Sequence, residues 1–271
     1  MHKHLRISLV IPAYNEEANL ADCLEAALAQ TVPFYEIIVV DNASTDATAQ
    51  VAARYRGVRV VHESRRGIAH ARNAGFNAAR GDYIARIDAD TQLPIGWAAH
   101  IEAFYTDPIN TQTAWTGSGA FMGVPLARLV NFTYRTLAFH SNRLLIGHPT
   151  IWGSNMAFPA AMWQKVGRHT CVQRGIHEDL DLAIHAVQAD MTVYFDKTMP
   201  VPARLRRIEG SRAQLWDYLQ WWPRTLKQHG YASWRICWLI GVLPLYLATP
   251  VLNLGSALKR GTAQVLSAFE V

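Results

Sequence analysis

The feature that most constrains this chain is a cycle repeated through its first half: an apolar run, a polar loop, then a helical pattern. Ile7 to Ile11 is an apolar run but for Ser8 and stops at Pro12. Asn15-Glu16-Glu17 then opens a stretch in which Leu20, Cys23, Leu24, Ala27 and Leu28 recur at helical spacing. The cycle returns with Ile37 to Val40 before Asp41, with Val58 to Val61 before Arg65-Arg66-Gly67, and with Tyr83 to Ile87 before Asp88. Mostly apolar runs suit strands buried on both faces, and the helices between them supply the crossovers that parallel pairing requires. The pattern therefore predicts an α/β fold with a mostly parallel sheet flanked by helices. In open sheets of this kind ligands bind beyond the carboxyl ends of the strands. Pro12, Tyr14 and Asn15 fall there, as do Asp41, Asn42 and Ser44, and Asp88 with Asp90.

With 271 residues, half of them apolar, the chain can bury a substantial core. Its net charge of +5 is uneven, since nine of the 26 Lys and Arg but only three of the 21 Asp and Glu fall at or after Arg204. Those basic residues are mixed with long apolar runs, which argues against nucleic acid as a partner. Three scattered cysteines make no disulfide framework and no Cys/His spacing suggests zinc, so a reducing, cytosolic side is expected. Met1 to Arg6 run directly into an apolar strand rather than a signal-peptide core.

Several polar groups carry chemistry and each also has a plain structural explanation. Asp88 and Asp90 are an i, i+2 pair at a strand end, where charge resists burial without a partner. A hard cation such as Mg2+ or Mn2+ would be that partner, and solvated turn carboxylates are the alternative. In Asp41-Asn42-Ala43-Ser44-Thr45-Asp46, a turn and helix cap explain Ser44 to Asp46, whereas Asp41 directly follows a strand and can accept hydrogen bonds from a base or ribose. Arg72, on a helix predicted to begin near Ile68, either pairs with phosphate or lies on the surface. Around Asn155, Gly153-Ser154-Asn155 either lets backbone approach a sugar or makes a turn. Glu178, Asp179 and Asp181 open another helix, where capping and a general base make compatible demands, because the helix dipole favours an ionised carboxylate.

Taken together, Val10-Ile11-Pro12-Ala13-Tyr14-Asn15-Glu16, Asp41-Asn42-Ala43-Ser44, Ala71-Arg72-Asn73-Ala74-Gly75, Asp88-Ala89-Asp90 and Glu178-Asp179, in that order, resemble the family 2 glycosyltransferases. The resemblance covers residues 5 to 205. It implies a Rossmann-like GT-A fold and an inverting transfer from a nucleotide-sugar, usually UDP-linked, with a divalent cation, Mg2+ or Mn2+. By position it implies that Pro12, Tyr14, Glu16, Asp41, Arg72, Asp88 and Asn155 serve the donor and that Asp88 and Asp90 serve the metal. Asp179 would be the base, with Glu178 in support. Processive members carry Gln-x-x-Arg-Trp, whereas Gln220-Trp221-Trp222-Pro223-Arg224-Thr225 has different spacing, so transfer of a single sugar is expected.

Residues 1–207 then form the catalytic domain and residues 208–271 a basic, aromatic-rich, apolar segment of membrane-associated helices. Ile236 to Leu258 contains no charged residue and could cross a hydrocarbon core of ~30 Å at about 1.5 Å per residue, although Pro244 and Pro250 interrupt it. Trp216, Trp221, Trp222, Trp234 and Trp238 suit an interfacial belt. Between Pro108 and His177 there is no Asp or Glu but Arg128, Arg135 and Arg143 are present, and Leu126 to Ile146 reads as an interfacial helix or one packed on the domain. The expected acceptor is a lipid or a lipid-linked saccharide at the cytoplasmic face of the cell membrane. Transfer to polyprenyl phosphate and a non-catalytic nucleotide-sugar binding subunit are the competing readings.

Overall fold

The computed structural model describes residues 4–121, 127–203 and 211–242. Four strands, β1 (Ile7–Ala13), β2 (Glu36–Asp41), β3 (Val58–His62) and β4 (Tyr83–Arg86), alternate with helices α1 (Leu20–Leu28), α2 (Thr48–Ala53) and α3 (Ile68–Ala78). They pair in parallel in the order β3-β2-β1-β4. The chain thus winds outward from β1 in one direction and then returns to its other side. That reversal opens a crevice at the carboxyl ends of β1 and β4.

After α4 (Trp97–Thr106), the sheet is extended by β5 (Thr113–Thr116), with β6 (Gly119–Phe121) set apart from it. Next come α5 (Ala127–Arg135), a wider π-helical turn at Thr136–Ser141, and α6 (Asn142–Ile146). Then follow β7 (Met156–Pro159), α7 (Ala160–Val166), α8 (Glu178–Gln188), β8 (Thr192–Phe195), β9 (Val201–Ala203), α9 (Arg212–Gln228) and α10 (Trp234–Cys237). β7 lies between β4 and β5 and is antiparallel to both, whereas β5 and β8 pair in parallel. The sheet is mostly parallel as expected, with one reversed strand that no hydrophobic period announces. β6 and β9 form a small parallel sheet of their own.

Successive strand residues point to opposite faces, and β1 divides accordingly. Ile7, Leu9 and Ile11 join α1 and α4 in one core, where Trp97 meets Trp115 edge to face. Val10 joins Ile38, Val40, Phe76, Phe158 and Leu182 in the other. Helix α3 can lie close to the sheet because Gly75 has no side chain, and a Cβ there would run into Val10 and Val40. Gly75→Ala is expected to overpack this contact and cost about 1–3 kcal/mol. A urea midpoint unchanged from wild type would contradict it.

Part of the segment expected to meet a membrane is packed protein. The amino end of α9 is capped by Ser211 and Gln214 in a reciprocal capping box, and Leu226 is fully buried. Thr225 Oγ1 accepts from the His177 N–H at 2.8 Å, and Trp222 Nε1 donates to Asn142 Oδ1 at 2.9 Å. Among the described residues no helix is long and apolar enough to cross a membrane. Of the stretch Ile236 to Leu258, residues 243–258 lie outside the described residues, as does Leu126.

Candidate active site

The rim of the crevice is a set of loops tied to one another by short polar side chains. Asn15, at φ 53°, accepts from the Thr45 N–H through Oδ1 at 2.9 Å, while Ser44 Oγ accepts from the Asn15 N–H at 3.1 Å. Thr48 Oγ1 accepts from the Glu16 N–H at 2.8 Å. Asn42 bridges to the next loop: its Nδ2 donates to the carbonyls of Glu63 (3.0 Å) and Arg65 (2.8 Å), and its Oδ1 accepts from the Gly67 N–H (2.8 Å). Asp46 Oδ1 accepts from the Thr48 N–H at 3.0 Å in a turn just before α2, whose cap position, Ala47, makes no side-chain bond. These bonds leave Tyr14 at the mouth with the Arg66 guanidinium 4.1 Å above its ring. An aromatic face and a delocalised cation of this kind suit a flat base. Asp41 lies beneath, only 7% exposed, accepting from the Ser44 N–H (3.2 Å) and facing His62 Nδ1 at 3.2 Å.

On the other side of β1 the floor is set by Arg86, the last residue of β4 and 2% exposed. Its Nη2 donates to Asp88 Oδ1 at 3.1 Å and its Nη1 to Asp179 Oδ1 at 2.8 Å, with Glu178 Oε1 at 3.6 Å. Asp88 keeps a side chain 40% exposed to the crevice, and its other oxygen accepts from Ser154 Oγ. Asp179 is 6% exposed and is also held by the Gly153 N–H at 2.8 Å. A Cβ on Gly153 would collide with both Arg86 and Asp179, so glycine is what allows the backbone this close.

Burial pushes the Asp179 carboxyl above its ordinary range and the charge of Glu178 adds to it, against the pull of Arg86. Burial also works against the Arg86 charge, but Asp179, Asp88 and Glu178 outweigh it and hold its proton more tightly than usual. The two directions are consistent, since one guanidinium faces three carboxylates and the excess negative charge falls on the buried ones. A carboxylate raised in this way is a stronger base while it stays ionised.

Comparison with known proteins places this geometry. The model of the family described as glycosyl transferase family 2 matches residues 8–150, more than half of the chain. The chain belongs to that family. Among curated relatives, the Bacillus subtilis glycosyltransferase EpsJ is 36% identical over 88 residues, a stretch that is 31% of this chain and 26% of that protein. The match therefore spans about a quarter of the relative's length. Among solved structures, the mannosyltransferase PcManGT from Pyrobaculum calidifontis, in complex with GDP-Man and Mn2+, superposes with a TM-score of 0.68 at 21% identity, covering 98% of this chain and 81% of that one. The glucosyl-3-phosphoglycerate synthase of Mycobacterium tuberculosis, in complex with Mn2+, UDP and glucosyl-3-phosphoglycerate, gives 0.59 at 19% identity, covering 84% and 81%. These likenesses show an α/β fold of the GT-A kind.

Within this family 2 chain, two residues expected to serve the donor are fully buried. Arg72 is fully buried beneath the crevice rather than at its wall or on the surface, donating to the Glu178 carbonyl at 2.7 Å and to Asn73 Oδ1 at 2.9 Å. One of its nitrogens thus holds the start of α8, while its Nη2 is buried with no hydrogen-bond partner. Asn155 is fully buried too, taking the Trp97 indole N–H at 2.8 Å and donating to the carbonyls of Ser118 and Met199 at 3.2 and 2.9 Å. With all its side-chain groups engaged it pins a loop, and its neighbours Gly153 and Ser154 reach the carboxylates instead. Capping alone does not explain the acids of α8, because His177 at the cap makes no side-chain cap bond and Glu178, Asp179 and Asp181 are all buried. Arg86 was missed by sequence reasoning although it carried a signal, since an arginine inside a buried strand demands carboxylate partners.

The donor set fits a divalent cation. Burial raises the Cys23 thiol, and the charges of Asp90, Asp88 and Glu16 add to it. Asp88, open to the crevice, and Asp90, half-buried, offer the hard carboxylate oxygens that Mg2+ or Mn2+ takes.

Proposed function

We propose that this chain is an inverting glycosyltransferase moving one sugar from a nucleotide-sugar, UDP-linked, to a hydroxyl of a lipid or lipid-linked saccharide. The observation that carries the reading is Arg86, which joins Asp88 and Asp179 through one guanidinium. A displacement at the anomeric carbon needs the leaving diphosphate and the proton acceptor on opposite sides of the sugar, at a fixed separation. Arg86 sets that separation from inside the sheet.

In this reading the stacked Tyr14 and Arg66 border the base, with Pro12 and Asp41 shaping the pocket below and Glu16 beside the diphosphate. Asp88 and Asp90 would hold a divalent cation, which when bound supplies neutralisation of the diphosphate charge. Asp179 removes the proton of the acceptor hydroxyl, and Gly153 and Arg86 keep its carboxylate in place. Glu178 supports Asp179 through the shared guanidinium. The nucleotide diphosphate and Mn2+ in the two solved relatives support this use of the crevice. Asp90→Asn should abolish release of UDP from UDP-sugars in the presence of Mn2+, read by a coupled nucleotide assay. Undiminished release would rule out the assignment of Asp90.

A lipid acceptor at the cytoplasmic membrane face is supported by the surface of α5, α6, α10 and the helical turn Trp238–Val242 that follows it. Leu129, Phe132, Leu144, Ile236 and Leu239 are exposed there, between 53% and 88%. Arg128 and Arg135 line a surface cleft of about 450 Å3 with Gly119, Asn131, Phe132 and Pro200. That cleft has two guanidiniums and no carboxylate in its lining, which favours an acceptor carrying phosphate, whether a lipid-linked saccharide or polyprenyl phosphate itself.

A further inference from the structure

Helix α8 carries a second polar constellation on its other side. Residues 179 and 181 are separated by about 200° around an α-helix at about 100° per residue, so Asp181 points away from the crevice that Asp179 faces. Asp181 is fully buried, and its Oδ2 accepts from the Cys171 N–H at 2.9 Å. Its Oδ1 meets His229 Nε2 at 2.9 Å and His185 Nε2 at 3.5 Å. The two imidazoles stand edge to face, with centroids 4.9 Å apart, converging on the same oxygen. One ligand atom from each of Cys171, Asp181, His185 and His229 lies within 4.8 Å of all the others.

The geometry points to a structural zinc site made by Cys171, Asp181, His185 and His229, separate from the cation held by the strand-end carboxylates. Tetrahedral zinc, with bonds of about 2.0–2.3 Å, places its ligands roughly 3.3–3.8 Å apart, within reach of this cluster by side-chain adjustment. One thiolate, two imidazoles and one carboxylate suit zinc, whereas Mg2+ and Mn2+ favour oxygen ligands throughout. A hydrogen-bonded network explains His229 but leaves His185 Nε2 buried with no hydrogen-bond partner. A cation at the convergence point would satisfy both rings. The Asp181 carboxylate is already oriented by the Cys171 backbone, the kind of outer support that ligating carboxylates carry. Metal entry is open from a surface cleft of about 290 Å3 lined by Lys165, His169, His185 and Gln188. Uptake forms the sulfur–zinc bond as the Cys171 thiol proton leaves to solvent.

The ligands come from three segments: the loop after α7, helix α8 and the carboxyl end of α9. The metal would therefore fasten the carboxyl end of α9 to α8, one helical turn beyond the bond between Thr225 and His177. The site holds the helix that presents Asp179 without touching the crevice.

Metal analysis of the full chain bearing Asp88→Asn and Asp90→Asn should show about one zinc per molecule after gel filtration. Cys171→Ser in that background should lose it. Replacing zinc by Co2+ should give the visible bands of tetrahedral cobalt and a near-ultraviolet thiolate band, with Cys171→Ser removing the latter. His185→Gln, a milder change, should weaken zinc affinity at least tenfold in a competition titration with a chelating dye. Stripping the metal should lower the wild-type Tm and leave that of the Cys171→Ser chain unchanged. Equal zinc content with and without Cys171, or cobalt spectra lacking tetrahedral bands, would overturn the site.

Discussion

Transfer to a hydroxyl acceptor should fall by a factor of about 10²–10⁴ in Asp179→Asn, the range expected when a positioned general base is lost. Donor binding should survive. Asparagine keeps an oxygen to accept the Gly153 N–H, and Asp179 lies behind Arg86 from the nucleotide side, so Tyr14, Asp41 and Asp88 are left as they are. A titration of UDP in the presence of Mn2+ should then give the wild-type Kd while the rate collapses. This separation tells a catalytic loss from a folding defect. The same variant divides the two acceptor chemistries. A phosphate acceptor is already ionised at neutral pH and needs no base, so persistent transfer to polyprenyl phosphate would decide for that substrate. Undiminished transfer to a hydroxyl would remove Asp179 from the role of base.

The second large effect concerns stability. Arg86→Met should destabilise the fold by about 3–5 kcal/mol, the cost of leaving buried charge without its partner. That is a large share of a domain stability of about 5–15 kcal/mol. Both Asp179 and Glu178 are buried, and in the variant neither would face the Arg86 cation. Methionine matches much of the arginine stem in volume, so a cavity contributes little. Adding Asp179→Asn should recover part of the loss, because the carboxylate left stranded is then neutral. Chemical denaturation of the four chains of this cycle measures the coupling. Additive costs would mean that Arg86 acts by packing, and the account of the crevice floor would have to be abandoned.

The extent to which the sequence could be read follows from the range of the interactions. β1 to β4 and α1 to α3 were legible because hydrophobic period and turn residues are local, and each cycle fits within a few tens of residues. Asp41, Asp88 and Asp179 could be picked out because carboxylates at the ends of apolar segments are conspicuous one at a time. Arg72 could not be placed, since its burial depends on Glu178, more than a hundred residues later. Asn155 was grouped with the donor contacts for its neighbours, and only the approach of Trp97, Ser118 and Met199 shows where its amide is engaged. Reversed β7 carries no signal in its own four residues, because an apolar strand buried on both faces reads the same in either direction.

The cysteines and histidines show the same limit from the other side. Cys171, Asp181, His185 and His229 lack the short spacing by which zinc sites are known in a sequence, and only the packing of α9 on α8 brings His229 to the other three. Sequence alone determined the alternating α/β order, the strand ends that carry the acids, and the family, because these depend on patterns written along the chain. Tertiary structure decided which acids share a counter-ion, through Arg86 between Asp88 and Asp179. It also placed Arg72 inside the body of the protein and set two chemically different clusters on opposite sides of α8. The reason is physical: charge pairing in a buried site is settled by distances across the fold, and a linear order of residues contains no such distances.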